Sequence, residues 1–146
     1  MAMNADAALA GKRKPSSIEQ LCNERPTDLI LSVSVPLVPC AVKAVSRTSH
    51  SARSLVVAVS CREITPRLKD VRICVSDCAG QRVRLLQVER ALEGASLPAK
   101  KVMEDMVSTS FTPEADLHAS SAYKRYIAGI LAADALYAIM PGTGAS

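Results

Sequence analysis

From Thr27 onward the chain alternates apolar and small polar positions. Leu29, Leu31, Val33 and Val35 fall on one side, and Ile30, Ser32 and Ser34 on the other. A period of two with β-branched residues predicts a half-buried strand, and Pro36 and Pro39 stop it or mark an edge. Cys40 to Val45 reads as a second short strand, Ser54 to Ile64 as a third, apolar enough to be central, and Val71 to Ser76 as a fourth. The polar stretch "RTSHSAR" between the second and third is a loop, and Thr65-Pro66 begins a turn. After Gly80 the period becomes helical. Leu85, Val88, Ala91 and Leu92 form one stripe, with Gly94 as its C-terminal stop. A second helix starts at Ser96 with Pro98 in its first turn and carries Val102, Met106 and Val107 inward. A third runs from about Ser120 to Ile139 on a stripe of Tyr123, Ile127, Ile130, Leu131, Asp134 and Ala138, and Pro141-Gly142 ends it.

Short strands joined by short loops pair antiparallel. The expected class is therefore α+β: a two-layer sandwich, with an antiparallel sheet of three to four strands followed by about three helices on one face. Residues 1–26 read as a flexible tail or linker, in which Pro15-Ser16-Ser17 can start a helix from Ile18 to Cys22. Residues 27–140 form the domain and 141–146 a second tail.

Composition narrows the picture. With 146 residues, 49% apolar and 22% charged, the chain suffices for one globular domain. One Phe, three Tyr and no Trp leave the core to Val, Leu, Ile and Ala, and argue against a stacking platform for single-stranded nucleic acid. The net charge of +4 sits partly in Lys12-Arg13-Lys14, which reads as a solvated tail rather than a nucleic-acid surface. The five cysteines (Cys22, Cys40, Cys61, Cys74 and Cys78) contain no Cys-x-x-Cys pair, and the only histidines are His50 and His118, so no metal ligand set is expected. Cys61 and Cys74 read as small buried hydrophobes of a reduced, cytoplasmic protein. No apolar run approaches the roughly 20 residues of a membrane span. No catalytic residue is expected: His118 has no nucleophile at a spacing that implicates it.

Several elements, in order, carry a family resemblance. "VRLLQVERALEG" ends a helix with Glu89, Leu92 and Gly94; a Pro-x-x-Asp lead-in follows at Pro113 and Asp116; a Ser-x-Tyr-basic helix start comes at Ser121, Tyr123 and Lys124. Upstream stand "RPTDLILSVSVP" and "VKAVSRTSH". Together, over roughly Arg25 to Leu136, they resemble the C-terminal domain of the FAD-binding subunit of molybdenum hydroxylases, the family of carbon monoxide and xanthine dehydrogenases. The chain departs from the family pattern at His118, where the family has Arg, and at Lys124, where it has Arg. It also lacks the Gly-rich phosphate loops with which the family holds FAD: its six glycines are isolated.

The resemblance implies an oxidoreductase module that packs beside the flavin and is not catalytic alone. FAD would be held only with a partner domain or subunit. The implied partners are the FAD-binding portion and the molybdenum and iron–sulfur subunits, which together pass electrons through two clusters to FAD. The loop after the second strand would approach the flavin ring, which makes Lys43, Arg47 and His50 the candidate cofactor-binding residues; a nearby cation stabilises the reduced, anionic flavin. The alternative for these three is a solvated basic loop. The alternative for the whole chain is a non-enzymatic interaction or assembly module that keeps the fold without redox work. A homodimer through an exposed apolar sheet face fits either reading.

In the lead-in, Asp116 can accept from turn N–H groups or pair with Lys124 or Arg125, and Ser120 or Ser121 can cap the last helix. Tyr123 is expected between helix and sheet, and Lys124 and Arg125 at solvent or a partner. Asp134, polar on an apolar stripe, lies at its margin or pairs with Arg82 or Arg84.

Overall fold

A computed structural model describes residues 5–24, 27–46, 53–77, 80, 82–117 and 119–140. They divide into two compact units at Val38/Pro39, whereas the sequence reading divides the chain at 26/27.

In the first unit, the segment expected as a tail holds β1 (Asp6–Leu9), β2 (Ser16–Ser17) and α1 (Ile18–Glu24). β3 (Ile30–Ser34) pairs antiparallel with β1, giving a sheet of order β2-β1-β3. The short helix begins where Pro15-Ser16-Ser17 predicts, and the Ser17 hydroxyl accepts from the Gln20 N–H at 3.2 Å. The core of this unit is small: Ala7, Leu9 and Leu21, with Ile18 packed against them. Ala7 and Leu9 alternate inward, but alanine-rich "ADAALA" carries too little hydrophobic contrast to be read as a strand. β3 was expected as a half-buried member of the main sheet. Instead all five of its residues are exposed, because neither of its faces meets the small core.

In the second unit, β4 (Cys40–Ser46), β5 (Arg53–Ser60), β6 (Arg72–Asp77) and β7 (Arg82–Arg84) form an antiparallel sheet in chain order. β7 takes the place expected for the strand at Leu29. With three residues, two of them arginine, it carries no periodic signal. The helices are α2 (Leu86–Leu92), α3 (Lys100–Ser110) and α4 (Ser121–Ala138). The α+β class holds, with one four-stranded sheet covered on one face by three helices.

Period two sets the two faces of this sheet. Leu55, Val57, Val59, Ile73 and Val75 are buried on the inner face, in register across β5 and β6. On the outer face Val42 stands opposite Ala58, which stands opposite Cys74. Cys74, expected in the core, is therefore only half-buried. Cys61 is fully buried, and its thiol donates to the carbonyls of Glu63 (2.9 Å) and Lys69 (3.4 Å). Burial raises its pKa above the ordinary thiol value, which keeps it protonated.

The helical stripes shift from the expected ones. α2 buries Val88, Glu89 and Leu92 and leaves Ala91 exposed. Gly94, at φ +74°, turns the chain after this helix as expected, and its N–H donates to Leu68 O at 2.8 Å. α3 buries Met103 and Val107 and leaves Val102 half-exposed. α4 buries Lys124, Ala128, Gly129, Ala132, Ala133, Ala135 and Leu136. This is a stripe of small residues, so the helix lies close to its neighbours while Ile127 and Leu131 pack at its flanks. A Cβ on Gly129 would stand 2.6 Å from the Glu104 carbonyl oxygen on α3. Asp134 pairs with neither arginine; its carboxylate meets Lys100 at 3.0 Å on the exposed side of α3 and α4.

Glu89 fixes α2 to the sheet. Its Oε1 accepts from the Ile73 N–H (2.9 Å) and Arg84 Nε (3.1 Å), and its Oε2 accepts from Arg84 Nη2 (2.6 Å). A Glu89→Gln variant keeps the shape but turns an amide N–H2 toward donors. It should lose about 2 kcal/mol in urea unfolding, the scale of a hydrogen bond to a charged group; an unchanged midpoint would mean that the neutral amide serves as well.

Candidate functional site

At one end of the second unit's sheet, β4 and β5 leave an open cleft of about 450 Å³. Val45, Ser46 and Ser54 form one wall, and Leu117, Ala119, Ser120 and Tyr123 the other. The first wall is the two strand ends that flank the 47–52 connection. The second is the lead-in to α4 and the helix's first turn.

The lead-in is held by a buried ion cluster. Lys124 is 3% exposed, and its ammonium donates to Asp116 Oδ2 (2.6 Å), Asp77 Oδ2 (3.1 Å) and the Glu114 carbonyl (2.8 Å). Asp77 ends β6 on the inner face, opposite Leu55. Asp116 also closes its own turn: its Oδ1 accepts from the Ala119 N–H at 2.9 Å, and its N–H donates to Ala119 O at 3.1 Å. Ser120 caps α4, its hydroxyl accepting from the Tyr123 N–H at 3.2 Å. Burial by itself lowers the Lys124 pKa, but the hydrogen bonds and charges of Asp116 and Asp77 outweigh it, so the ammonium is held above its ordinary value. The expected Asp116 pairing and serine cap are both present. The expectation that Lys124 faces solvent is corrected: it starts the buried stripe of α4, where only an internal carboxylate pair makes a cation tolerable. Tyr123, expected between helix and sheet, is instead about half-exposed at the cleft.

Of the candidate cofactor residues, Lys43 lies mid-β4 opposite Val57, half-buried on the inner face between Ala41 and Val45. It does not line the cleft, but it stands two residues, about 7 Å of strand, from Val45, which does. Arg47 and His50 lie outside the described residues, as does His118. No group of His, Cys, Asp or Glu among the described residues could hold a metal ion. The cleft offers hydroxyls from Ser46, Ser54, Ser120 and Tyr123 beside the apolar Val45 and Leu117. That lining fits one side of a flat heteroaromatic ring. At the start of α4 the Tyr123 and Lys124 N–H groups donate to Ser120, and Gly11, Gly80 and Gly94 are isolated turns rather than a Gly-rich loop.

The model of the CO dehydrogenase flavoprotein C-terminal domain matches residues 41–139, from β4 to the end of α4. The chain belongs to this family. It is 34% identical over 118 residues to the uncharacterized protein YgfM of Escherichia coli, a match that covers 80% of this chain and 40% of that one. Its fold is that of chains in solved structures. For carbon monoxide dehydrogenase from Hydrogenophaga pseudoflava the TM-score is 0.73 at 20% identity, covering 96% of this chain and 55% of that chain. For quinoline 2-oxidoreductase from Pseudomonas putida 86 it is 0.74 at 11% identity, covering 94% and 53%. The residues that carried the sequence resemblance have these places: Glu89 and Asp116 anchor elements, Gly94 turns the chain, and Tyr123 lines the cleft. Sequence reasoning missed Asp77 as the third member of the ion cluster, because nothing in a strand end marks a carboxylate for a lysine 47 positions away.

Proposed function

We propose that this domain lines one side of the flavin in a flavoprotein subunit of the molybdenum-hydroxylase type and docks against the portion that holds the FAD phosphates. The cleft between the β4–β5 rim and the α4 lead-in carries this reading: hydroxyl-bearing and apolar residues line an open space, and the described residues hold no Gly-rich phosphate loop. FAD would supply the electron transfer when bound. The chain's own residues would shape the ring's surroundings, with Ser46, Ser54 and Tyr123 as hydrogen-bonding groups and Val45 and Leu117 as apolar walls. Lys43, Arg47 and His50 are proposed as the cations that raise the flavin's reduction potential by stabilising its anionic reduced form. Molybdenum and iron–sulfur subunits are the proposed further partners, and no described helix is long and apolar enough to cross a membrane.

The absorption spectrum before and after FAD incubation and gel filtration tests this. The chain alone should elute colourless, since the pyrophosphate has no cradle among the described residues. Together with the FAD-binding portion it should elute with flavin bands, and Lys43→Met should lower the flavin's reduction potential. Association without any effect on flavin content would favour an assembly module instead.

A further inference from the structure

The helix-side wall of the cleft is lined by side chains that do not hold themselves in place. Leu117 is 100% exposed and Tyr123 is 49% exposed, so packing fixes neither. Their positions follow the backbone that carries them, and that backbone is tied one residue away: Asp116 precedes Leu117, and Lys124 follows Tyr123. The Lys124 ammonium donates to Asp116 Oδ2 (2.6 Å) and the Glu114 carbonyl (2.8 Å), which fastens the lead-in to the first turn of α4. Its bond to Asp77 Oδ2, at 3.1 Å, fastens both to the sheet. An ammonium has three N–H groups, and these three acceptors match them. Asp77 stands opposite Leu55, whose chain neighbour Ser54 belongs to the other wall. The β4–β5 ladder shifts there: Val45 pairs with Leu55 and Ser46 with Arg53. Ser54 is thus the extra residue of a bulge, a device that re-aims a side chain.

Resting on the proposed function, we infer that Lys124 is the positioning residue of the flavin cleft: through Asp116, the Glu114 carbonyl and Asp77 it sets the gap between the lead-in and the strand rim into which the ring fits. Lys124 does not line the cleft and acts only through the wall it holds. Charge-assisted bonds in a site 3% exposed keep their geometry, because water does not compete for them. A wall that stands ready contributes its full contact to a bound ring, whereas a wall that must be ordered on binding costs affinity. The Arg84–Glu89 pair gives the contrast. It is also largely buried, but it joins α2 to the sheet, and neither residue lines the cleft or adjoins one that does.

The test compares Asp116→Asn with Glu89→Gln in the full chain. Asparagine keeps the side-chain size and an acceptor for the Ala119 N–H, but gives up the ion pair with Lys124, which Asp77 still neutralises. The variant should therefore fold, as circular dichroism checks. In the chain alone, hydrogen exchange at the Ala119 and Tyr123 amides should speed up about tenfold in Asp116→Asn and stay at the wild-type rate in Glu89→Gln. The chain is then co-expressed with the part of Escherichia coli YgfM outside the match and titrated with FAD. The dissociation constant should rise about tenfold in Asp116→Asn and hold in Glu89→Gln. Unchanged exchange in Asp116→Asn would overturn the tie. Equal FAD affinity in the wild type and Asp116→Asn would overturn the positioning role while the flavin reading stands. A rise of the same size in both variants would reduce the effect to lost stability and overturn the role as well. A wild-type complex that takes up no FAD, with faster exchange in Asp116→Asn, would overturn the flavin reading and this role toward it.

Discussion

Lys124→Met should destabilise the second unit by about 3–5 kcal/mol, the cost of removing one partner from a buried ion pair. The reason is what remains behind. Asp77, whose side chain is 1% exposed, loses the ammonium 3.1 Å away. Asp116 loses its tightest contact, at 2.6 Å, and the Glu114 carbonyl loses its donor. Against a total stability of about 5–15 kcal/mol this is a large share. The chain has no tryptophan, so helical circular dichroism in urea is the suitable readout. Lys124→Met combined with Asp77→Asn should be less destabilised than the sum of the two single variants, because the two side chains bond each other directly and each single change already removes that contact. A single variant within about 1 kcal/mol of wild type would mean that the cluster is solvated in solution and that the lead-in is held otherwise.

The same cluster sets a pH dependence. The folded Lys124 pKa lies above its unfolded value of 10.5. A group raised on folding binds its proton more tightly in the native state, so its contribution is complete below the unfolded pKa. It is lost as pH climbs through the folded one. Above pH 10.5 the stability advantage of the wild type over Lys124→Met should therefore shrink as the lysine loses its proton, and urea unfolding of the two proteins at neutral and alkaline pH checks this.

Gly129→Val should cost about 3 kcal/mol, at the upper end of overpacking effects. The Cβ of any other residue would sit 2.6 Å from the Glu104 carbonyl oxygen and 3.2 Å from its Cα. Both neighbours are backbone, so relief requires α3 and α4 to separate, and the alanine stripe beneath α4 would lose its close packing. Gly129→Ala meets the same contact but gains about 1 kcal/mol of helix propensity over glycine, so its net loss should be smaller. Thermal melts of the two variants check the order. If Gly129→Ala raised the melting temperature, the helices would be further apart in solution than this contact requires.

Much of the fold was legible because periodicity is local. The alternation in β4, β5 and β6 placed the main sheet, and Gly94 and Ser120 marked helix ends by their own conformational chemistry. The ordered elements from Glu89 to Lys124 pointed to the family that the match at 41–139 establishes. Of the site, the Asp116–Lys124 pair and the serine cap were readable, since their members lie within one turn and one lead-in.

What the sequence could not decide was partnership at a distance. Leu29 to Val35 alternates as a buried strand should, yet burial depends on what lies over the strand, and among the described residues β3 pairs only with β1. Hydropathy put the large residues of α4 inside; the close approach of α3 put alanine and glycine there instead, because helix spacing limits side-chain volume. Lys124 reads as a surface cation until the fold brings Asp77 from the end of β6 and Asp116 from the lead-in to its ammonium. Local chemistry thus fixed the elements, their ends and the family. Only the tertiary structure determined which faces are covered and which charges are paired, since both are properties of neighbours that the chain supplies from far along its length.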